Sequence, residues 1–562
     1  MKKWSVGLAA ALFFSLPVAH ATEKGVRITP EGVYYTVSRN ETLSSISLKF
    51  TGDIRHWQKI GNTNRIENDR TIPVGRVVLI PATLLAPVAA FARIGSFFGD
   101  VLIHDQAGNR LETRIDAMLK EGDTVATMAE SFLSLILEDG SQITLPPDSA
   151  LNLRTLRTTQ YVRSPRTQLF LEKGRVESSV TPFSKHGSRY EVLSPVAVSG
   201  VRGTRFRVQY REDRAFNEVL SGKVAVKPQS RDADRVTQLV AAGYGSVVGQ
   251  QRATRPIALL PAPALADGYA LQQRLPLQFV LTQTAAQSFQ LRVSTDAQGV
   301  NNIAEVSVKA DQGKALARLA DLPDGHYFAH VHAVDANGLA GLQQTVPFEV
   351  AARPFAPFLI APQAKYQGNA DSTAHVPITM RWSLSGNIVS YRLQIAGDKQ
   401  FEQRLVDQVV AAGEQDGHLA VSLQPGAYQW RVASIDGAGK QGPFTDARAV
   451  QVLAGLAAPA GSVNEKELHF SWSASAPGQR FTFQLATDPS FTTLVHDVTT
   501  EQPEVKLPRP QAGTYYARVR SIDSDGFVGT YSPAQRFVVP LLWQTDYGTP
   551  LDGQGQPLGT SF

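Results

Sequence analysis

Tyr34-Tyr35-Thr36-Val37, Asn40-Glu41-Thr42-Leu43, Gly52-Asp53, Trp57, Ile60, Asn64-Arg65-Ile66 and Val74-Gly75, closing on Val77-Val78-Leu79-Ile80-Pro81, form the stretch that decides the reading of this chain. Leu43, Ile46 and Phe50 stand at i, i+3 and i+7, which puts one apolar stripe on a short first helix. Asp53 suits the cap of a second helix, on which Ile54, Trp57 and Ile60 share a face. Trp57 therefore reads as a core residue rather than a platform for sugar. The β-branched and aromatic runs 33–37 and 77–80 predict a two-stranded sheet. Two strands alone are marginal, and the helix pair supplies the core they lack.

That order of elements resembles a LysM module, a βααβ unit that binds N-acetylglucosamine-containing glycans, above all peptidoglycan. The resemblance implies a shallow groove between two loops. It places Asn40, Glu41, Thr42 and Leu43 on one side and Arg65, Ile66, Arg70, Thr71 and Ile72 on the other. Backbone amides there would bond an acetamido group, while Leu43, Ile66 and Ile72 would pack against its methyl and ring faces. The family has Gly-Asp where this chain has Asn40-Glu41. Thr42 has a second reading as a helix cap without ligand contact. One such module binds weakly unless other contacts act with it.

The segment ahead of this unit predicts the compartment. Lys2 and Lys3 precede an apolar run from Val6 to Leu16 and an Ala19-His20-Ala21 end, which describes a signal peptide over 1–21. The run falls short of the ~20 apolar residues of a membrane span. The uncharged stretch 77–92 contains Pro81 and Pro87 and also falls short; beyond the last LysM strand it reads as a linker docking on the next domain. No transmembrane segment is expected after cleavage. The chain has no Cys, so disulfides, thiolate chemistry and a lipid anchor on a Cys are excluded. Removing Lys2 and Lys3 lowers the formal charge from +5 to +3. Between Arg154 and Arg214 thirteen Lys/Arg face five Asp/Glu, an excess that could draw anions such as stem-peptide carboxylates or could be a plain solvated face. Nucleic acid is not expected as a partner.

From 95 to 228 short alternating strands follow one another with Gly-centred turns, the pattern of an all-β barrel or solenoid-like body. Phe132 to Leu137 runs into Glu138-Asp139-Gly140-Ser141, and Ile143-Thr144-Leu145 leaves it, as in a hairpin. Leu169-Phe170-Leu171 with Lys173-Gly174 and Val176, and Val219-Leu220-Ser221-Gly222-Lys223-Val224, read as two more hairpins. Ser194-Pro195-Val196-Ala197-Val198-Ser199-Gly200-Val201-Arg202-Gly203-Thr204-Arg205-Phe206-Arg207-Val208 is similar to the FecR-type periplasmic domain of iron-dicitrate sensor proteins. That resemblance implies the fold and a protein-binding habit. The sensors' sigma-factor segment and membrane span are not carried over, because a signal and a LysM unit stand in their place. Gly203 is expected to serve backbone geometry, and Arg202 and Arg205 to pair with acids.

The remaining chain repeats itself. Gly325-His326-Tyr327, Gly426-Ala427-Tyr428 and Gly513-Thr514-Tyr515 each open a late strand ending in Asp335, Asp436 or Asp523. An upstream aromatic (Phe279, Trp382, Trp472) and a period-two strand precede each. The units 260–351, 354–453 and 456–540 resemble fibronectin type III modules, Ig-like β-sandwiches. Proline-rich joints near Pro261, Pro354 and Pro459 should limit flexing between them. His330 and His332 correspond to Arg431 and Ala433, then Arg518 and Arg520, so they are expected to face water rather than hold a metal. The tail 541–562, rich in Gly, Pro and Gln, reads as mobile.

The expected whole is a mainly β, multi-domain, non-enzymatic periplasmic protein without cofactor, metal or catalytic residues. It would bind wall glycan through LysM and present the FecR-like domain and sandwiches to a protein partner. Two alternatives stay open, a sensory accessory of an envelope signalling protein and a LysM-anchored wall hydrolase. No Gly-x-Ser-x-Gly elbow, His-Glu-x-x-His helix or phosphate loop is present. Paired carboxylates for glycan cleavage assemble only in three dimensions.

Overall fold

The computed structural model describes residues 25–67, 72–183, 187–229, 237–249, 252–369, 374–413, 417–541, 543–544 and 550–551. The expected signal peptide 1–21 lies outside them, as do Arg70 and Thr71. Of the tail, Trp543–Gln544 pairs antiparallel with Pro550–Leu551, and most of the rest falls outside. The chain forms two compact units, one ending at Val350 and one beginning at Ala351.

The first unit opens with helices Leu43–Thr51 and Trp57–Thr63 against three antiparallel strands, Val26–Thr29, Gly32–Thr36 and Val77–Pro81. The sheet thus has one strand more than the two expected, because the Pro30-Glu31 turn folds 26–29 back onto 32–35. Gly32 enters where the chain crosses the last strand, and a Cβ there would stand 2.1 Å from Ile80 O. Ile54 departs from the expected apolar face and is 52% exposed. Residues Ile54–His56 form a 3-10 turn capped by Asp53, and its three-residue period rotates Ile54 away from Ile60. Trp57 is half-buried and packs on the core, as read from the sequence.

The apparent linker joins the next body. Pro87–Ala89 pairs with 157–159, and one connected array of eighteen strands runs from there to Ile257–Ala258. The array folds into two layers around the buried Ile94, Leu135, Leu151, Leu171, Val208 and Val226. Pro165–Ser179 belongs to both layers. Its first half pairs with Ala150–Thr159 and Arg189–Leu193, and its second half with Gln142–Leu145 and Arg205–Arg211. The expected hairpin at Lys173-Gly174 is therefore a corner in one continuous strand. Gly222 is a corner of the same kind. Arg214–Ser221 pairs within one layer, and Lys223–Pro228 pairs with Ala197–Val201 in the other. The hairpin at Glu138-Asp139-Gly140-Ser141 forms as read, with Ile136 opposite Gln142.

The three repeats each fold as two small sheets. Three strands combine with five in the first, with six in the second and with four in the third. The repeated tyrosine anchors each in the same way. Tyr327 donates to Pro323 O, Tyr428 to Gln424 O and Tyr515 to Gln511 O, all at 2.9 Å. This tyrosine corner is a mark of Ig-like sandwiches.

His330 and His332 contradict the expectation of exposure, being 1% and 8% exposed. Their strand face is polar, as the alignment implied, but in the first repeat the preceding β body covers it. His330 shares hydrogen bonds with Ser294 Oγ at 2.7 Å and Thr345 Oγ1 at 3.0 Å, and His332 with Gln290 Oε1 at 2.8 Å. Arg175 of the β body also donates to Gln290 Oε1.

Candidate glycan-binding site

The strand ladder continues past Thr36 and Val77 to the edge of both expected turns. Val37 N–H donates to Arg76 O at 2.9 Å, and Gly75 N–H donates to Val37 O at 2.8 Å, so the first turn and the approach to the last strand are tied together. Asn40 (φ 67°) and Arg65 (φ 52°) both take left-handed backbone and expose their side chains. Such positions at facing turns are where a backbone can present its amides outward.

The other residues of the first turn are occupied within the module. Glu41 accepts from Tyr35 Oη at 2.8 Å and from Ser38 N–H at 2.7 Å. Thr42 Oγ1 accepts from Ser45 N–H while Ser45 Oγ accepts from Thr42 N–H, a reciprocal cap on the first helix. Leu43 is 0% exposed, so its side chain belongs to the core and cannot pack on a sugar as expected. Its i, i+3, i+7 stripe with Ile46 and Phe50 points inward as a whole. Any part Leu43 takes in a trough comes from its backbone.

Across the trough, Ile66 and Ile72 are half-buried against the core and keep an outward edge. Asn64, although present in the quoted stretch, was not among the expected site residues. Its Nδ2 donates to Ile60 O and Leu79 O, and its Oδ1 accepts from Leu79 N–H, so one amide clamps the second helix to the last strand. Arg76 then donates to Asn64 O at 3.1 Å. An Asn just past a helix end is the signal that could have singled this residue out. Hydrogen bonds from Arg55 hold Asp53 down to about 2, which keeps the cap of the 3-10 turn charged.

The module is joined to the next body. Tyr161 and Val162 of that body enter its core, with the Tyr161 ring 5.4 Å from Phe50. Ala86 N–H donates to Phe50 O, and Gln160 N–H donates to Ala86 O.

Residues 35–81 match the LysM domain model. Residues 123–225 match the model described as FecR protein. LysM and FecR are binding and signalling domains rather than catalytic ones, and LysM supports glycan binding. A search of curated proteins finds no match. Among solved structures, one described as an anti-sigma factor from Parabacteroides distasonis ATCC 8503 is 17% identical. That match has a TM-score of 0.20 and covers 24% of this chain and 59% of the other. The FN1–FN3 domains of chicken CNTN1 are 15% identical with a TM-score of 0.20, over 50% of this chain and 98% of theirs. Among the described residues no helix is long and apolar enough to cross a membrane.

Part of the basic excess of the FecR-like body is spent inside the unit. Arg157, Arg175, Arg189, Arg205, Arg207 and Arg214 all stand in ion pairs with Glu. Arg205 meets an acid, Glu177, as expected, whereas Arg202 is exposed and makes no ion pair among the described residues.

Proposed function

We propose that the chain is a non-enzymatic periplasmic protein that binds peptidoglycan. It would hold N-acetylglucosamine glycan between residues 40–43 and 65–72 and present its FecR-like body and sandwiches to a protein partner. The observation that supports this reading is the tie of Val37 to Gly75 and Arg76, at the edge of both expected turns, within the stretch matched to LysM. The basic, apolar, Ala-x-Ala opening supports export.

The test is co-sedimentation of the full chain with purified sacculi, with and without a soluble N-acetylglucosamine tetramer. Pelleting that the tetramer relieves is expected. The double variant Asn40→Gly, Arg65→Gly removes both exposed side chains at backbone angles that glycine accepts, and it should pellet less while keeping its fold. A chain that stays in the supernatant with sacculi present would overturn the reading. A clear zymogram band would replace it with the hydrolase reading.

A sensory role is favoured by one further observation. The module and the FecR-like body share a core through Phe50, Tyr161 and Val162, so strain at the glycan site has a packed route into that body. A membrane signalling protein that co-purifies with the full chain would support it.

A further inference from the structure

The second and third sandwiches build the outer face of their larger sheet to one plan. Arg431 donates from Nε and Nη2 to Gln394 Oε1, and Gln394 Nε2 donates to Asp407 Oδ2. Arg431 also lies 3.9 Å from the Phe401 ring centre and 4.3 Å from that of Phe444. Arg518, Gln484 and Asp497 repeat the relay, with Phe491 and Tyr531 at 3.9 and 4.0 Å.

Strand register puts Glu305, Arg292 and His330 of the first sandwich at these same three positions. The preceding loop is also shared. Asp296, Asp398 and Asp488 each accept from the N–H groups four and five residues on. Three residues after that Asp, the left-handed position holds Phe401 and Phe491 in the later repeats but Gly299 in the first. A Cβ on Gly299 would stand 3.2 Å from His330 Nε2. The first repeat has thus moved its cation to the middle of the relay and given up the aromatic floor.

This rebuilt face meets the FecR-like body around a cleft of about 520 Å³. Four of its acceptors are engaged. Glu177 takes Arg205 and Arg292, Glu305 takes Arg175, Gln290 Oε1 takes Arg175 and His332, and Glu218 takes Ala340 N–H. Its donors are not. Arg207 Nε and Arg292 Nε are buried without a hydrogen-bond partner among the described residues, and both arginines line the cleft. At the mouth Arg211 is exposed, makes no ion pair among the described residues and rests 4.9 Å over the Phe216 ring. Guanidinium groups donate and never accept, so the unused N–H groups of this cleft call for an acceptor, and the unpaired charge of Arg211 at its mouth favours one that carries negative charge. Clefts between folded bodies are also where small ligands commonly sit.

We propose that the cleft between the FecR-like body and the first sandwich binds a small organic carboxylate through Arg207, Arg211 and Arg292. The carboxylate could arrive as a free small acid or as part of a short peptide, and the test separates the two. Isothermal titration of the full chain uses glutarate, N-acetyl-alanyl-glutamate and, as a neutral control, glutaramide. Binding of at least one acid and none of the diamide is expected. Arg211→Gln, at an exposed position outside both cores, should weaken that binding about tenfold, the effect of losing one charge-assisted hydrogen bond. No heat from either acid, equal binding of glutaramide, or unchanged affinity in Arg211→Gln would overturn the proposal. Sacculus pelleting reads a different surface, so either result leaves the glycan assignment to its own experiment.

Discussion

Arg292 of the first sandwich donates to Glu177 of the FecR-like body at 3.2 Å, while Glu177 takes Arg205 from its own body at 2.7 Å. One carboxylate thereby neutralises cations from two domains. Burial alone would raise its pKa, but Arg292, then Arg205 and Arg207, hold it well below the usual carboxylate range. Glu177→Gln would leave these guanidinium groups without that counter-charge in a largely buried interface. The first unit should lose about 3–5 kcal/mol, read by urea unfolding of the full chain. A loss below about 1 kcal/mol would mean that water screens the network.

Acid should open the same interface. Burial, reinforced by Arg292, lowers His330 to about 4, and burial with Arg207, Arg175 and Arg292 lowers His332 well below its ordinary value of 6.5. Glu177 and Asp296 oppose the arginines at His330 without prevailing. An unfolded histidine takes its proton near 6.5, so between that value and about 4 the unfolded state binds more protons than the folded one. The stabilisation is complete above pH 6.5 and is lost as pH falls through that window. It amounts to about 3 kcal/mol for His330, as an order of magnitude. Glu177 adds a loss of the same sign below its unfolded value of 4.5. His330→Gln keeps hydrogen-bonding capacity toward Ser294 and Thr345 without a titrating proton. Its melting temperature should fall less than wild type between pH 7 and 4.5, and parallel falls would remove His330 from the account.

Asn64→Ala should disable the LysM domain without touching its rim. The substitution removes three hydrogen bonds, to Ile60 O, Leu79 O and Leu79 N, each worth ~1 kcal/mol net. Thermal melting and sacculus pelleting should both decline. Full pelleting by a folded Asn64→Ala chain would show that the second turn needs no such clamp.

Tyr428→Phe and Tyr515→Phe each delete one corner hydrogen bond and leave the ring in place. Each should cost ~1 kcal/mol, confined to the unit beginning at Ala351. Proteolysis of the two variants, followed over time, should release fragments of that unit first.

Several elements were legible as soon as residues were counted. The stripe Leu43, Ile46, Phe50, the repeated tyrosine and the hairpin at Asp139-Gly140 all depend on neighbours within a few positions. The trough was harder. Glu41, Thr42 and Leu43 satisfy local demands of capping and core, which leaves Asn40 and Arg65 as the exposed side chains among the expected site residues that are described. Gly174 and Gly222 look like hairpin turns in sequence because a corner between two layers also needs a left-handed glycine.

The amino-acid order by itself determined the modules, since periods of two and 3.6 residues and a ninety-odd-residue repeat are local properties of a chain. Only the tertiary structure decided what covers each polar face. His330 and Arg431 share a strand position, and one is buried because the FecR-like body lies across it. Periodicity tells which side of a strand is apolar. It carries nothing about which distant element will dock on the other side, where burial turns a water-facing position into part of a charge network.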